Sequence, residues 1–262
     1  MTIVSPDLVE KHVAKDELLE QAYYMLEGDE EVQSLLRMAN VMAVGRLRYN
    51  DHGVVHSRIV AGSALEMFDI LSRYVTPSIV KDRVGTRREA KLVVLLGAYL
   101  HDIGNAIHRQ DHHIHGYYIA DQILRRLLPR IFGYEGRRVH MIRMEVLHCI
   151  YSHHEEVHCL SLEAGIVKVA DGTDMAKGRA RVPYELGKVD IHSLSALAID
   201  KVEIERGTSK PVRIVVGMSN EAGVFQVEEI LGRKIKTSGI GRYIEVFAIG
   251  KDGRLRVTYS FQ

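Results

Sequence analysis

The stretch YLHDIGNAIHRQDHHIHGYYIADQ, from Tyr99 to Gln122, contains five histidines and three aspartates. It overlaps the end of the run Leu92–Leu100, which is apolar on nearly all sides and therefore predicts a buried central helix. At the end of that helix, His101 and Asp102 are well placed to bind a metal ion, because the helix fixes them and apolar neighbours exclude water. Gly104 predicts that the helix ends or bends there.

The composition is that of an ordinary globular protein. Among 262 residues, 35 basic and 34 acidic side chains give a net charge of +1, so no overall field favours nucleic acid or a membrane. The N-terminal segment lacks the apolar core of a signal peptide, and no apolar run is long enough to span a membrane. Cys149 and Cys159 are interpreted as reduced thiols. We therefore expect a cytoplasmic protein with no membrane partner.

Two regions with different patterns are predicted. Residues 1–190 indicate a helical domain, starting with one helix from an N-cap at Ser5 to a stop at Gly28. Residues 191–262 contain four β-branched segments with one amphipathic helix between the second and third, which predicts a small ββαββ domain. The predicted fold class is mainly α, a helical bundle followed by this small α+β domain. Further helices are predicted at about 30–40, 55–71, 116–128, 137–152 and 162–172.

Other segments of the chain carry side chains of the same metal-binding kind. His56 lies in HSRIV, His112 follows the HD pair, SHHEE supplies His153 and His154, and VADGTD contains Asp171. Histidine and aspartate together suit a divalent metal such as iron, manganese, nickel, cobalt or zinc. These segments are therefore candidates for a shared metal site.

The order of these motifs resembles the HD-domain superfamily of metal-dependent phosphohydrolases over about residues 45–185. HDIG, which begins at His101, is the most recognisable tetrapeptide of that family. HSRIV is similar to its first-histidine helix and VADGTD to its last-aspartate segment. The histidine at position 112, four residues before Gly116, and the pair in SHHEE resemble the additional histidines of members with two metals. The resemblance implies a helical HD-domain bundle with a binuclear site.

The resemblance also implies a role for each ligand. Asp102 would bridge the two metals, and the choice between His153 and His154 stays open. His101 and Asp102 are in addition the predicted catalytic residues. Two divalent ions would lower the pKa of a shared water so that hydroxide can attack phosphorus. The predicted metal ligands are His56, His101, Asp102, His112, His153, His154 and Asp171.

Substrate recognition is predicted just after the last ligand. Lys177, Arg179 and Arg181 would bind the substrate phosphate, although a solvated basic turn explains them equally well. Asn105 stands where many HDIG members have lysine, and no Gly-Tyr-Pro signature follows the paired histidines. Cleavage of cyclic di-GMP is therefore not predicted. His52 lies one helical turn before His56, which could place it beside the ligands or make it one, but an exposed histidine of the first helical turn is the favoured interpretation.

We therefore expect a metal-dependent phosphohydrolase that cleaves a phosphomonoester or phosphodiester of a nucleotide or small phosphorylated metabolite. One alternative is a di-iron oxygenase that cleaves a C–C or C–P bond, because some HD-domain proteins with similar ligands use O₂. A second alternative is a non-catalytic regulatory protein, which the intact ligand set disfavours. The C-terminal module is expected to form a homodimer, because one face of its sheet needs cover.

Overall fold

The computed structural model describes residues 1–178 and 191–260. In its first part, helices surround α6, the helix that the apolar run forms. α6 is buried because it packs against α4, α8 and α9, and it begins with a reciprocal capping box between Thr86 and Glu89. The helices of this part are α1 (Leu8–Val13), α2 (Glu17–Glu27), α3 (Glu30–Asn40), α4 (Val54–Leu71), α5 (Ser78–Lys81), α6 (Arg87–Leu100), α7 (His112–Phe132), α8 (Arg137–Ser152) and α9 (Leu162–Thr173).

The prediction of one N-terminal helix from Ser5 to Gly28 was wrong. The chain forms α1 and α2 instead, and the break falls at Asp16. The Asp16 carboxylate accepts a hydrogen bond from the backbone N–H of Leu18 at 2.9 Å, so it caps a new helix. Gly28 ends α2 as predicted.

The second part contains four strands and one helical crossover, and a short strand from the N-terminus completes a five-stranded sheet. Its strands follow the order β1–β2–β3–β4–β5, and all neighbours are antiparallel except β3 and β4. The parallel pair requires a crossover, which a π-helical stretch and α11 provide. The predicted ββαββ order is confirmed, and β1 adds an unpredicted fifth strand from the N-terminus. The elements are β1 (Thr2–Ile3), α10 (Ile191–Leu197), β2 (Ile199–Arg206), β3 (Val212–Met218), the π-helical stretch (Gln226–Gly232), α11 (Arg233–Thr237), β4 (Ile244–Gly250) and β5 (Leu255–Ser260).

The crossover packs closely on α9. A Cβ at Gly165 of α9 would lie 2.4 Å from the backbone carbonyl oxygen of Ser238, so only glycine fits this contact. Nearby, the fully buried Lys168 donates to the Thr237 hydroxyl at 2.9 Å. α9 and α11 are thereby held in register. Within residues 1–178 and 191–260, no helix has the length and apolar character needed to cross a membrane.

Candidate metal centre

Buried histidines and aspartates meet where five helices converge. His101 and Asp102 directly follow α6, His153 directly follows α8, and the other three donors belong to helices. Gly104 brings the start of α7 close to the HD pair, since a Cβ there would lie 2.0 Å from the His112 carbonyl oxygen. The converging side chains are His56 from α4, His101, Asp102, His112 from α7, His153 and Asp171 from α9.

The first donor group surrounds the ring of His56. Its Nε2 lies 3.1 Å from His101 Nε2, 3.3 Å from Asp102 Oδ2 and 3.3 Å from Asp171 Oδ1. His101 Nε2 is 3.4 Å from the same Asp102 oxygen. Four potential ligand atoms from three separate segments of the chain therefore face a common point.

The second donor group uses the other oxygen of Asp102. His112 Nε2 and His153 Nε2 are 3.0 Å apart, and they lie 3.4 and 3.6 Å from Asp102 Oδ1. Each oxygen of the Asp102 carboxylate therefore faces its own group of imidazole nitrogens. A carboxylate in this position could contact a cation on each side.

Backbone carbonyls fix the orientation of three imidazole rings. His101 Nδ1 donates to the Ala98 carbonyl at 2.8 Å, and His153 Nδ1 donates to the Ile150 carbonyl at 2.6 Å. His112 Nδ1 donates in the same way to the carbonyl of Arg109 at 3.0 Å. A carbonyl can only accept, so each Nδ1 must carry the proton. In the neutral rings the Nε2 lone pair is therefore the group that faces the cluster, as in metal-binding histidines.

Burial keeps the second group neutral. It lowers the pKa of His153 to about 4, and it holds the pKa of His112 well below the usual range together with the positive charge of Arg109. With both Nδ1 atoms protonated, two Nε2 lone pairs then face each other across 3.0 Å. Two lone pairs and a carboxylate oxygen repel one another unless a positive charge lies beside them, either the Arg109 guanidinium group, whose Nη1 is 3.2 Å from His112 Nε2, or a bound cation.

The carboxylates are kept ionised. Burial opposes the charge of Asp102, but the rings of His101 and His52 hold its pKa well below the usual range. Burial likewise opposes the charge of Asp171, and the ammonium group of Lys234 and the ring of His101 hold its pKa well below the usual range. Both carboxylates are therefore available as anionic ligands at neutral pH.

Further side chains orient the donors. His56 Nδ1 lies 2.6 Å from Asp174 Oδ2, and Asn105 donates to Asp102 Oδ1 at 2.8 Å. The expectation that His52 is exposed was wrong: it is buried, and its Nδ1 lies 2.6 Å from Asp102 Oδ2. Within this cluster, three overlapping sets of three residues also have donor atoms within 4.8 Å of one another and could hold a metal: His52, His56 and Asp102; His56, His101 and Asp171; and His101, Asp102 and His153.

A cavity of about 450 Å³ opens onto the two donor groups. Lys234 of α11 lines it, and its Nζ lies 2.6 Å from Asp171 Oδ2. Arg109 lines it as well, and its Nη1 lies 3.2 Å from His112 Nε2. The cavity thus has positive side chains beside its anionic ligands.

The remaining predicted site residues lie further out. His154 lines the cavity and stacks on His113 with ring centroids 4.4 Å apart, and its role as a ligand stays a prediction. Lys177 is largely exposed and forms an ion pair with Asp200 at 3.0 Å. Its side chain is not among those that line the cavity. The predicted phosphate-binding residues Arg179 and Arg181 lie outside the described part of the chain.

Sequence reasoning did not assign Asp174, Arg109 or Lys234 to the site. Asp174 lies three residues after Asp171 in VADGTD, so its closeness in sequence to a predicted ligand could have indicated it. Arg109 lies within the histidine-rich stretch itself. Lys234 carried no local signal, because it is 63 residues from Asp171 in sequence.

The comparisons with known proteins agree with this geometry. The family model described as HD domain matches residues 53–176. The chain belongs to the HD-domain family. An HD domain suggests metal-dependent hydrolase activity, and the buried histidine and aspartate clusters could bind metal ions. The chain is also 49% identical over 227 residues to the uncharacterized protein MJ1020 of Methanocaldococcus jannaschii, covering 86% of this HD-domain protein and 87% of the relative.

Proposed function

We propose that this HD-domain protein is a phosphohydrolase that uses two divalent cations to cleave a phosphoester of a nucleotide or small phosphorylated metabolite. His56, His101, Asp102 and Asp171 would hold the first cation. Asp102, His112 and His153 would hold the second. The observation that carries the proposal is the convergence of His112 Nε2 and His153 Nε2, 3.0 Å apart, on one oxygen of the buried Asp102 carboxylate.

The residues around the cluster support hydrolysis. When bound, the cations would supply Lewis-acid charge and a water of lowered pKa for attack on phosphorus. Asp102 contributes one oxygen to each donor group, and backbone carbonyls fix the histidine rings, so the ligands need little reorganisation when cations bind. A cavity of about 450 Å³ lies within the size range of small-molecule sites, which supports a metabolite or nucleotide as substrate.

Turnover assays under anaerobic conditions test the proposal. We expect Mn²⁺-loaded protein to hydrolyse at least one compound in a panel of nucleotides, phosphomonoesters and phosphodiesters. Asp171→Asn should abolish turnover and lower the metal content, whereas the control Asp200→Asn should change neither. Turnover that requires O₂ would instead support the di-iron oxygenase, and no turnover with two metals bound would support a regulatory protein.

The homodimer and the cytoplasmic location stay predictions. The outer face of the sheet supports a dimer, because the partly exposed Phe247 and Ile249 lie there beside Val215. Light scattering on the full chain would measure the mass directly. A monomeric mass at micromolar concentration would rule the dimer out.

A further inference from the structure

The C-terminal region contributes a positively charged side chain, Lys234, to the candidate site. Lys234 lies outside residues 53–176, which match the HD domain, yet its side chain is 12% exposed and reaches the metal ligands. Its Nζ donates to Asp171 Oδ2 at 2.6 Å and to the His153 carbonyl oxygen at 3.3 Å. One ammonium group therefore contacts a predicted ligand of each metal.

The position of Lys234 is fixed by packing on both sides of it. A Cβ at Gly172 of α9 would lie 3.2 Å from Lys234 Cδ, so the lysine stem lies directly against that glycine. Three residues later, the Thr237 hydroxyl contacts both Lys168 and the Glu155 carbonyl, at 2.9 and 2.8 Å. α11 is thereby tied to α9 and to the loop after α8. The ammonium group is held in place before any substrate binds.

The hydrogen-bond count of Lys234 leaves a donor for a ligand. An ammonium group has three N–H donors. Within the described residues, Lys234 uses one on Asp171 and one on His153, and its side chain lines the cavity. The remaining donor is available to an anion in the cavity.

Arg109 likewise has N–H donors available to an anion, on the side of the cavity next to the second donor group. Its Nη1 contacts Asn105 Oδ1 and His112 Nε2, both at 3.2 Å. No contact of its Nε or Nη2 is seen in the part of the chain that the structure describes. The guanidinium group also lines the cavity and is about one-third exposed. The cavity therefore has one cationic side chain beside each donor group.

We infer that Lys234 and Arg109 form a two-sided clamp for the substrate phosphate, and that α11 is thereby part of the active site. The inference rests on the proposed function, in which phosphate is the reacting group. Two divalent ions and two cationic side chains exceed the negative charge of Asp102, Asp171 and Asp174, so a phosphate dianion is electrostatically favoured between them. The C-terminal region therefore has a role in the site itself, besides the predicted one in dimerisation.

Calorimetric binding of inorganic phosphate to the full, Mn²⁺-loaded chain tests the clamp. Losing one charge-assisted hydrogen bond should weaken phosphate binding roughly 10- to 100-fold in Lys234→Met. Lys234→Arg should restore most of the affinity, because it keeps the charge. Lys236→Met removes an exposed lysine from the same helix and should bind phosphate like the wild type.

Metal content, measured on the same samples, separates contact from positioning. The clamp is supported if Lys234→Met keeps the wild-type metal content and loses phosphate affinity. It is overturned if phosphate affinity stays within twofold, or if the variant loses metal while its loaded fraction binds phosphate normally. Lys234-dependent phosphate binding without hydrolysis of any ester would leave the clamp standing and refute the proposed function.

Discussion

Asp174 offers a way to weaken the first metal position without changing a predicted ligand. Its Oδ2 lies 2.6 Å from His56 Nδ1, so the carboxylate fixes the ring and makes its Nε2 more basic. A hydrogen bond to a charged group contributes about 1.5–3 kcal/mol. At about 1.4 kcal/mol per tenfold change, Asp174→Ala should weaken binding of one metal roughly 10- to 100-fold. Asp174→Asn keeps an acceptor oxygen and should cost only about 1 kcal/mol, roughly fivefold.

The assay is a competition titration with a chromophoric chelator, for Mn²⁺ and for Zn²⁺. Asp200→Asn is the matched control, because Asp200 forms an ion pair with Lys177 near the surface, away from the donor groups. Thermal unfolding of each apo variant checks that the fold persists. If the affinities of Asp174→Ala for Mn²⁺ and for Zn²⁺ stay within twofold of the wild-type values, the assignment of His56 as a ligand oriented by Asp174 is refuted.

Three further predictions concern stability. Gly165→Ala should lower the free energy of unfolding in urea by about 1–3 kcal/mol, because its Cβ would lie 2.4 Å from a backbone oxygen. The control Gly45→Ala meets no atom within 4 Å and should be neutral or stabilising. Equal free energies of unfolding for the two variants would contradict the close packing on α9. Burial opposes the charge of His12, but hydrogen bonds to Asp69 and Glu66 raise its pKa above 6.5. The stabilisation of the fold by charged His12 is therefore complete below about pH 6.5 and is lost as the pH rises through the raised pKa. His12→Gln should lower the free energy of unfolding by about 1.5–3 kcal/mol near pH 6 and by less near pH 9. A pH-independent loss would be evidence against a charged His12. Relative to protein at a metal concentration of 100 times Kd, removing the metal with a chelator should lower the free energy of unfolding by about 2.7 kcal/mol. The loss should be measured as a drop in Tm that added Mn²⁺ reverses. An unchanged Tm would contradict metal binding to the native state.

The parts of the site that could be predicted from sequence are those fixed by short local motifs. HDIG follows an apolar helix, so the positions of His101 and Asp102 depended only on where that helix ended. His52 was expected to be exposed in the first turn of a helix, but α4 begins only at Val54, so His52 precedes the helix. Its backbone N–H instead donates to Asn40 Oδ1 at 2.8 Å, a contact between separate elements.

Long-range docking was beyond the same reasoning. Lys234 meets Asp171 because α11 packs on α9, and that packing depends on Gly165 and on a crossover between parallel strands. No periodicity near Lys234 distinguishes it from the exposed Lys236 two residues later. The predicted N-terminal helix failed for a local reason, since the cap at Asp16 overrides a continuous helical pattern.

The two donor groups differ in what would balance their charge when no metal is bound. In the first group, burial disfavours a charged ring, but Asp102 and Asp171 raise the pKa of His101, so a proton on its Nε2 can take the place of a cation. In the second group, His112 and His153 stay neutral, and Arg109 supplies the positive charge through His112 Nε2. A cation that bound at the first proposed position would therefore release a proton, whereas one that bound at the second would displace a guanidinium group. Metal affinity at the first position would consequently fall as the pH is lowered, and the Arg109 side chain displaced from the second position would be placed to bind the proposed substrate phosphate.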